Sequence, residues 1–461
     1  MATKHTHRFI ARFRVEAETS LFIGSGEASL LTDALVQKDV NGFPMIPGTS
    51  LAGVLRHAFG TNADELFGDS NASENANASK LKVSNGYFVL DNGVVSEGIL
   101  DSVNETIVEK FNNLPKRQHV RITDKGVAKK NGLFDNEVVY KGTQFIFEIE
   151  VRGTENDKEN WNKILKLVQS PTFRIGAGTR NGYGRLKVID ALSKSFDLTE
   201  TEEFEGYLNY NPSFNTVSKI LEKINTSNSI ENNEHFIKYA LNLTPDLFFI
   251  FSEGFGDDEA DNKPIEEEVI VYENGKIDFK TQTLIPATSI KGAISHRVAF
   301  HYNKIIKSFA SQETINSPKV AEENEAVYTL FGKAGEKVDK PMAGKVFLND
   351  FYFSESEVYN KKIFNHVAID RFTGGAMDGA LFSEKVSMLT EGNFNFEIFV
   401  DKKAFENKDV KKAFENTLKD LCSGLLPLGG MTTKGNGMFT GSVISNEGFK
   451  YDYLENQLNK N

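Results

Sequence analysis

The chain has 461 residues, enough for more than one hydrophobic core, and its formal net charge of −11 argues mildly against a nucleic-acid partner. Its single cysteine, Cys422, excludes an internal disulfide or a zinc site built from several cysteines, and it suits a reducing compartment. No apolar run is long enough to span a bilayer, and the first residues lack the apolar core of a signal peptide, so we expect a cytoplasmic protein without membrane contact.

Bases and acids are separated along the chain. Residues 115–131 hold six bases against one acid, Asp124, whereas residues 253–268 hold eight acids against one base, Lys263. This distribution leaves room for a basic face in spite of the net negative charge.

The first half of the chain shows the element order strand, helix, strand, strand, helix, strand. Alternating apolar residues and apolar residues at helical spacing predict these elements. The predicted elements are a strand at 9–17, a helix at 51–59 capped by Thr49 or Ser50, strands at 83–90 and 144–151, a helix at 161–168 and a strand at 185–189. This order is the ferredoxin-like pattern. The Asn/Ser/Ala-rich segment 71–79 reads as a loop.

Four groups of residues recur in the same order in the second half, which predicts a tandem duplication. The matched pairs are 46–53 with 285–292, 66–68 with 330–332, 119–120 and 132–134 with 366–367 and 380–382, and 175–184 with 428–437. The second copy is expected to hold strands at 241–251, 346–353 and 394–400 and helices at 290–298 and 410–421. We therefore divide the chain into a first domain (1–190), a linker (191–234) with a helix near 217–224, a second domain (235–450) and a C-terminal tail (451–461).

A glycine-rich loop precedes the last strand of each copy. In the first copy Gly178, Gly182 and Gly184 stand among Arg174, Arg180 and Arg185. Glycine serves where φ is positive or where another backbone comes close, and successive free N–H groups in such a loop form a concave anion site. The pattern favours contact with a phosphodiester backbone, and an ordinary glycine-rich turn is the alternative.

These motifs resemble the RAMP superfamily of CRISPR proteins, in particular the backbone subunits of type III effector complexes of the Csm and Cmr kind. The resemblance rests on Ile-Pro-Gly-Thr-Ser-Leu entering a helix after the first strand, on the glycine loops, and on segments 33–48 and 366–375. It implies an α+β fold of two tandem ferredoxin-like RAMP domains, with inserted thumb hairpins and glycine-rich loops.

The resemblance also implies a function in antiviral defence. The chain would bind CRISPR guide RNA as part of a ribonucleoprotein, together with other CRISPR-associated RAMP and small subunits. It would act as an endoribonuclease on single-stranded target RNA paired to the guide, with Mg²⁺ or another divalent cation for the cleavage.

Asp33 stands where that family keeps its cleaving aspartate, and it would also hold the metal. An acid on a loop can orient a ribose 2′-hydroxyl or hold a hydrated metal ion. A solvated loop acid without a role is the alternative. In the second copy the loop is longer and no aspartate aligns cleanly, so the catalytic candidates are Asp261, Glu266, Glu267 and Glu268.

Candidate RNA-binding residues come from the helix after Ile-Pro, the glycine loops and the thumbs. Basic and polar side chains at such positions can contact RNA phosphates and fix the register of the RNA. They are Ser50, Arg56, His57, Arg121, Arg174, Gly178, Arg180, Gly182, Arg185, Ser289, Lys291, His296, Arg371, Lys434 and Gly435. Phe134 and Phe382, each next to a leucine, are candidate thumb residues that wedge between bases, or else they belong to a local core.

Two other functions remain open at this point. In the first, the chain is an RNA-binding scaffold and another subunit cuts the target. In the second, it is a guide-processing endoribonuclease, although the two glycine loops and two Ile-Pro motifs speak against that class. Metal-dependent target cutting separates the first from the preferred function, and metal-free cutting of precursor guide RNA would support the second.

Overall fold

We describe a computed structural model of the chain. It describes residues 5–30, 32–69, 76–122, 127–226, 235–309, 311, 320, 324–333, 341–356 and 359–458. The Arg121 side chain, a predicted RNA contact, and part of the predicted loop 71–79 lie outside the described residues.

The first unit is an antiparallel sheet with helices packed on both faces. Its strands are β1 (His7–Ala17), β2 (Leu81–Val83), β3 (Tyr87–Phe88), β4 (Lys116–Ile122), β5 (Ala128–Glu137), β6 (Gln144–Gly153), β7 (Leu186–Asp197) and β8 (Glu222–Lys223). Its helices are α1 (Gly48–Phe59), α2 (Ala63–Phe67), α3 (Glu105–Asn112), α4 (Lys158–Val168) and α5 (Thr201–Leu208). The sheet order is β2-β6-β1-β7-β8, with β3 also paired to β6. Helices α1 and α4 pack on one face of the sheet and α5 on the other.

The second unit repeats this plan. Its strands are β9 (Phe236–Pro245), β10 (Phe248–Phe249), β11 (Glu266–Glu273), β12 (Lys276–Ile285), β13 (Gly332–Lys333), β14 (Met342–Ala343), β15 (Val346–Phe347), β16 (Phe351–Phe353), β17 (Tyr359–Ile369), β18 (Ala376–Leu389), β19 (Phe394–Asp401), β20 (Phe439–Ser445) and β21 (Lys450–Asp452). Its helices are α6 (Ala287–Ile305), α7 (Glu325–Phe331), α8 (Lys408–Cys422) and α9 (Tyr453–Leu458). The main sheet order is β15-β19-β9-β20-β21.

Both main sheets have the ferredoxin-like strand arrangement. In the first unit β1 lies between β6 and β7, and β2 pairs with β6. In the second unit β9 lies between β19 and β20, and β15 pairs with β19. Alternating residues of β1 and the apolar stripes of α1 and α4 meet in one core, and β9, α6 and α8 form the matching core of the second unit. The predicted fold of two tandem ferredoxin-like domains is confirmed.

The start of the first helix shows how closely the two units correspond. α1 begins at Gly48, so Thr49 and Ser50 lie in its first turn and do not cap it, contrary to the prediction. The Gly48 N–H donates to the Asn85 side chain (2.9 Å), and the Ala287 N–H of α6 donates to Asp350 (2.9 Å). These partners satisfy a backbone donor that the helix itself leaves unpaired.

Three long hairpins project from these sheets. Two are the predicted thumbs, β4–β5 and β17–β18, which we call the first and second thumb. The third, β11–β12, was predicted as a loop, and we call it the arm. Ile270 of the arm is buried in the core of the first unit, and its N–H donates to Lys141 O (2.8 Å). The arm therefore ties the second unit to the first.

The helix predicted near 217–224 is not formed. These residues are bends followed by β8, while the helix in this region is α5. Leu221 is buried against Ile10 and Phe196 on the face of the first sheet away from α1 and α4. These tertiary contacts favour an extended chain over the helical pattern of a short segment.

Candidate functional site

Gly176 of the first loop is required where the loop backbone approaches the segment that follows β1. Gly176 has φ 89°, and a Cβ there would lie 2.2 Å from Phe22 O. The Ala177 N–H donates to the same carbonyl (2.8 Å), and the Gly184 N–H donates to Ser20 O (3.0 Å). The loop therefore grips the segment that follows β1, and an L side chain at Gly176 would block that approach.

The second loop repeats these contacts atom for atom. Gly429 also has φ 89°, with a Cβ position 2.2 Å from Ile250 O. The Gly430 and Gly437 N–H groups donate to Ile250 O (2.7 Å) and Phe248 O (2.8 Å). The predicted match between the two loops is confirmed in three dimensions.

The arginines of the first loop contact the second unit. Arg174 is buried and donates to Leu348 O (3.0 Å) and to the Asn349 side chain (2.6 Å). Arg180 donates to Gly344 O (2.8 Å), and its guanidinium lies 3.7 Å from the centre of the Phe347 ring. Their predicted role as RNA contacts stays a prediction, but these donors already have protein partners.

Burial changes the acid–base character of both arginines. Burial, with the nearby Arg185 and Arg180, lowers the pKa of Arg174 to about 9, and burial lowers the pKa of Arg180 to about 10. Arg185 pairs with Glu18 and with Glu397 (3.4 Å). The three arginines thus line a contact between the units.

An ion cluster closes the same contact beneath the first thumb. Arg117 of β4 donates to Glu267 (2.7 Å), Asp350 (2.5 Å) and the Tyr352 hydroxyl (2.6 Å). Burial alone would lower the pKa of Arg117, but Asp350 and Glu267 outweigh it and hold the pKa well above its ordinary value. We call these four residues the seam cluster.

Asp33 lies on an exposed loop against the base of the first thumb. Its N–H donates to the Asp135 carboxylate (2.9 Å), and the Asp135 N–H donates back to the Asp33 carboxylate (3.1 Å). Next to this pair, the Glu137 N–H donates to Ala34 O (3.1 Å). The loop is therefore bonded along the edge of β5.

Asp261 has the same setting in the second unit. Its N–H donates to the Ser383 hydroxyl (3.0 Å), and the Ser383 N–H donates back to the Asp261 carboxylate (2.7 Å). The Lys385 N–H then donates to Asn262 O (2.8 Å). Of the acids proposed for the second unit, Asp261 is thus the structural counterpart of Asp33.

The other three acidic candidates lie on β11 of the arm and not on a loop. Glu266 pairs with Lys361, Glu267 belongs to the seam cluster, and Glu268 pairs with Lys110 of the first unit (2.6 Å). The expectation that they lie on a loop was wrong, because the arm's strand pairing extends through all three. Their predicted catalytic role stays a prediction.

The remaining predicted RNA contacts fall into two groups. His57, His296, Ser289, Arg371, Lys434 and Gly435 are exposed, and Gly435 has open space where a Cβ would stand. Ser50, Arg56, Gly178 and Lys291 are half-buried and Gly182 is buried. Arg56 pairs with Asp64, Lys291 donates to Asn181 (3.0 Å), and Gly182 packs against Asp350.

The thumbs expose apolar side chains beside these sites. Leu133 and Phe134 are 68% and 52% exposed, and Leu381 is 70% exposed, so these three do not form a local core. Phe382 is half-buried. The His119 and Phe134 rings stack with centres 4.9 Å apart. Phe134 directly precedes Asp135, which is hydrogen-bonded to the loop of Asp33.

A sequence model of the RAMP superfamily matches residues 14–187 and 266–440. The match covers well over half of the chain, with one region in each unit, so the protein belongs to the RAMP superfamily. No curated protein matches the chain significantly. Among solved structures, it is similar to a chain of a type III-B Cmr-beta complex determined by cryo-EM in the apo state. That similarity has 16% identity and a TM-score of 0.31 and covers 39% of this chain and 96% of the other.

Among the described residues, no helix combines the length and the apolar character that a membrane span requires. Nor do these residues include three or more histidine, cysteine, aspartate or glutamate side chains grouped to hold a metal ion.

Proposed function

We propose that this chain is a guide-RNA-binding backbone subunit of a type III CRISPR effector complex that cuts guide-paired target RNA through Asp33 and Asp261. The observation that carries the proposal is the shared setting of these two aspartates. Each lies on an exposed loop and is bonded to the same position of its thumb, at Asp135 or Ser383. Two equivalent acids predict two cuts in one target strand.

The chemistry asked of each aspartate is modest. A carboxylate held at a fixed point beside the RNA can accept the proton of a ribose 2′-hydroxyl as that oxygen attacks the adjacent phosphate. The new bond gives a 2′,3′-cyclic phosphate, and the bond from phosphorus to the 5′-oxygen of the next nucleotide breaks, so that this oxygen leaves and takes a proton from solvent water. The exposed apolar face of the thumb, with Leu133 and Phe134, suits contact with an unstacked base. The thumb would keep a target base unstacked next to the loop aspartate.

A divalent cation fits the donors at this place. Mg²⁺ is usually bound through one or two carboxylates and substrate phosphates, so Asp33 would hold it in the first unit and Asp261 in the second. When bound, the cation would neutralise charge on the phosphate.

Exposed residues of the second glycine loop, the second thumb and the helices α1 and α6 would bind the guide RNA. Lys434 and Gly435 of the second loop, Arg371 of the second thumb, and the aligned His57 and His296 are available for phosphate contacts. Bound RNA would come from the CRISPR guide and its target, and the remaining partners would be other RAMP and small subunits in the cytoplasm.

Cutting of an end-labelled target RNA by the assembled complex tests this proposal. Asp33→Ala should remove one product and Asp261→Ala the other, each by about 10²–10⁴-fold in rate, with target affinity nearly unchanged. EDTA should remove both products. Glu27→Ala and Asp258→Ala are matched controls, since both are exposed acids on the same two loops. If neither aspartate matters, the chain is an RNA-binding scaffold and another subunit cuts.

A further inference from the structure

The loop aspartates are held by a reciprocal pair of hydrogen bonds, which we call the clasp. In the first unit the clasp joins Asp33 and Asp135, and in the second it joins Asp261 and Ser383. In each, the thumb residue's side-chain oxygen accepts the loop aspartate's N–H, and the thumb residue's N–H donates to the loop carboxylate. Ser383 adds a bond from its hydroxyl to Asp261 (2.9 Å).

The two clasps share their geometry but not their charge. Asp135 carries a carboxylate and Ser383 a hydroxyl, yet both present a short side chain whose acceptor oxygen lies at nearly the same distance from the loop N–H, 2.9 and 3.0 Å. Their neighbours differ as well, because Glu137 in the first thumb corresponds to Lys385 in the second. The two copies therefore share a side-chain oxygen that accepts the N–H of the loop aspartate, and they do not share its charge.

The clasp has a direct consequence for each loop carboxylate. The thumb N–H bonds to Oδ2 of Asp33 and of Asp261. In the hydrogen bonds of the described residues, Oδ1 of either aspartate has no protein donor. One oxygen of each carboxylate is thus held by the clasp, and both aspartates are exposed.

We propose that Asp135 and Ser383 are positioning residues, which orient the loop aspartates for target cutting through an acceptor oxygen and not through charge. This inference rests on the proposed function. A misplacement of about 1 Å can cost about 10²-fold in rate, so loss of the acceptor should slow the cut while RNA binding persists.

The test uses the assembled complex with its guide RNA and compares two substitutions at each position. Asp135→Ala should slow the first cut by about tenfold to a hundredfold in single-turnover assays, and Ser383→Ala should do the same to the second. The exchanged residues, Asp135→Ser and Ser383→Asp, should rescue each cut to near the wild-type rate. In every variant the other cut is the internal control, and target Kd should stay constant.

Hydrogen–deuterium exchange measures the clasp without any cutting. Asp135→Ala should speed exchange in peptides that contain the Asp33 amide, and Ser383→Ala should do so for the Asp261 amide, whereas the exchanged variants should keep the protection. Unchanged exchange in the alanine variants would overturn the clasp itself.

The outcomes separate the two proposals. If Asp33→Ala removes the first cut but Asp135→Ser is as slow as Asp135→Ala, charge matters and the positioning role is wrong. If Asp135→Ala cuts like wild type, the role is also wrong. If Asp33→Ala and Asp261→Ala leave both products, the proposed function fails, and the positioning role fails with it even where exchange confirms the clasp.

Discussion

The two glycine loops have the same backbone and opposite surroundings. In the first, a Cβ at Gly182 would lie 2.3 Å from Asp350 of the other unit, whereas the matching Gly435 meets open space. The glycines common to both loops allow the same hydrogen bonds to the segment that follows the first strand of each unit. The arginines are not shared, because Arg174 and Arg180 correspond to Pro427 and Thr433. Residues that differ between the copies therefore mark the contact between the units.

The seam cluster follows the same rule. Asp350 corresponds to Asn85, since both accept the first N–H of their helices, and by strand pairing Arg117 corresponds to Phe364. At these two positions the other copy carries an uncharged residue, so this acid and this base are not shared by the duplication.

Removing the centre of the seam cluster should have the largest effect. Arg117→Met leaves the buried Glu267 and Asp350 without their cation, which should lower the free energy of unfolding by about 3–5 kcal/mol. Thermal and urea unfolding measure the loss. Adding Glu267→Gln and Asp350→Asn should recover much of it, and Lys130→Ala, at an exposed lysine on the other strand of the same thumb, is the control. A loss under about 1 kcal/mol, the value of an exposed pair, would contradict the buried cluster.

A smaller effect separates the two loops directly. Gly182 and Gly435 have φ of 103° and 95°, so an alanine at either should cost about 1–3 kcal/mol from backbone strain. Only Gly182→Ala also meets Asp350 and Ala287, which should add about 1–3 kcal/mol of overpacking. Unfolding midpoints of the two variants give the difference. Equal losses would mean that the first loop is as free as the second.

The smallest effect concerns pH at the first thumb. Burial and then the neighbouring Arg117 lower the pKa of His119 below its ordinary value of 6.5. The unfolded chain therefore binds this proton more readily, so its contribution to stability is complete above pH 6.5. It is lost as the pH falls from there through the lower folded-state pKa.

His119→Phe should accordingly flatten the pH dependence of the unfolding midpoint below pH 6.5. His57→Phe, a change at an exposed histidine, controls for the loss of one imidazole. An unaltered slope in His119→Phe would mean that this group does not titrate differently in the folded protein.

The correspondence between Asp33 and Asp261 could have been predicted from the sequence. Gly26 precedes Asp33 by the same spacing as Gly254 precedes Asp261, and both glycines have positive φ. The arm is inserted after Asp261, and its three glutamates obscured the alignment. Asp135 and Ser383 gave no such signal, because their shared property is a hydrogen bond and not a residue type.

Local pattern was sufficient for the order of the main-sheet strands and the two helices packed on each sheet, for the duplication and for the glycine loops, but not for the arm or for segment 217–224. Periodicity and turn chemistry act over a few residues, so β1, α1 and α4 and their copies could be predicted from neighbours in the chain. The partners of the charged side chains could not be predicted in this way. Arg117 meets Asp350, 233 positions away, and only the docking of the two units puts that arginine in a buried contact and leaves Lys434 in the open. Burial and pairing depend on which distant surfaces meet, and tertiary packing decides that.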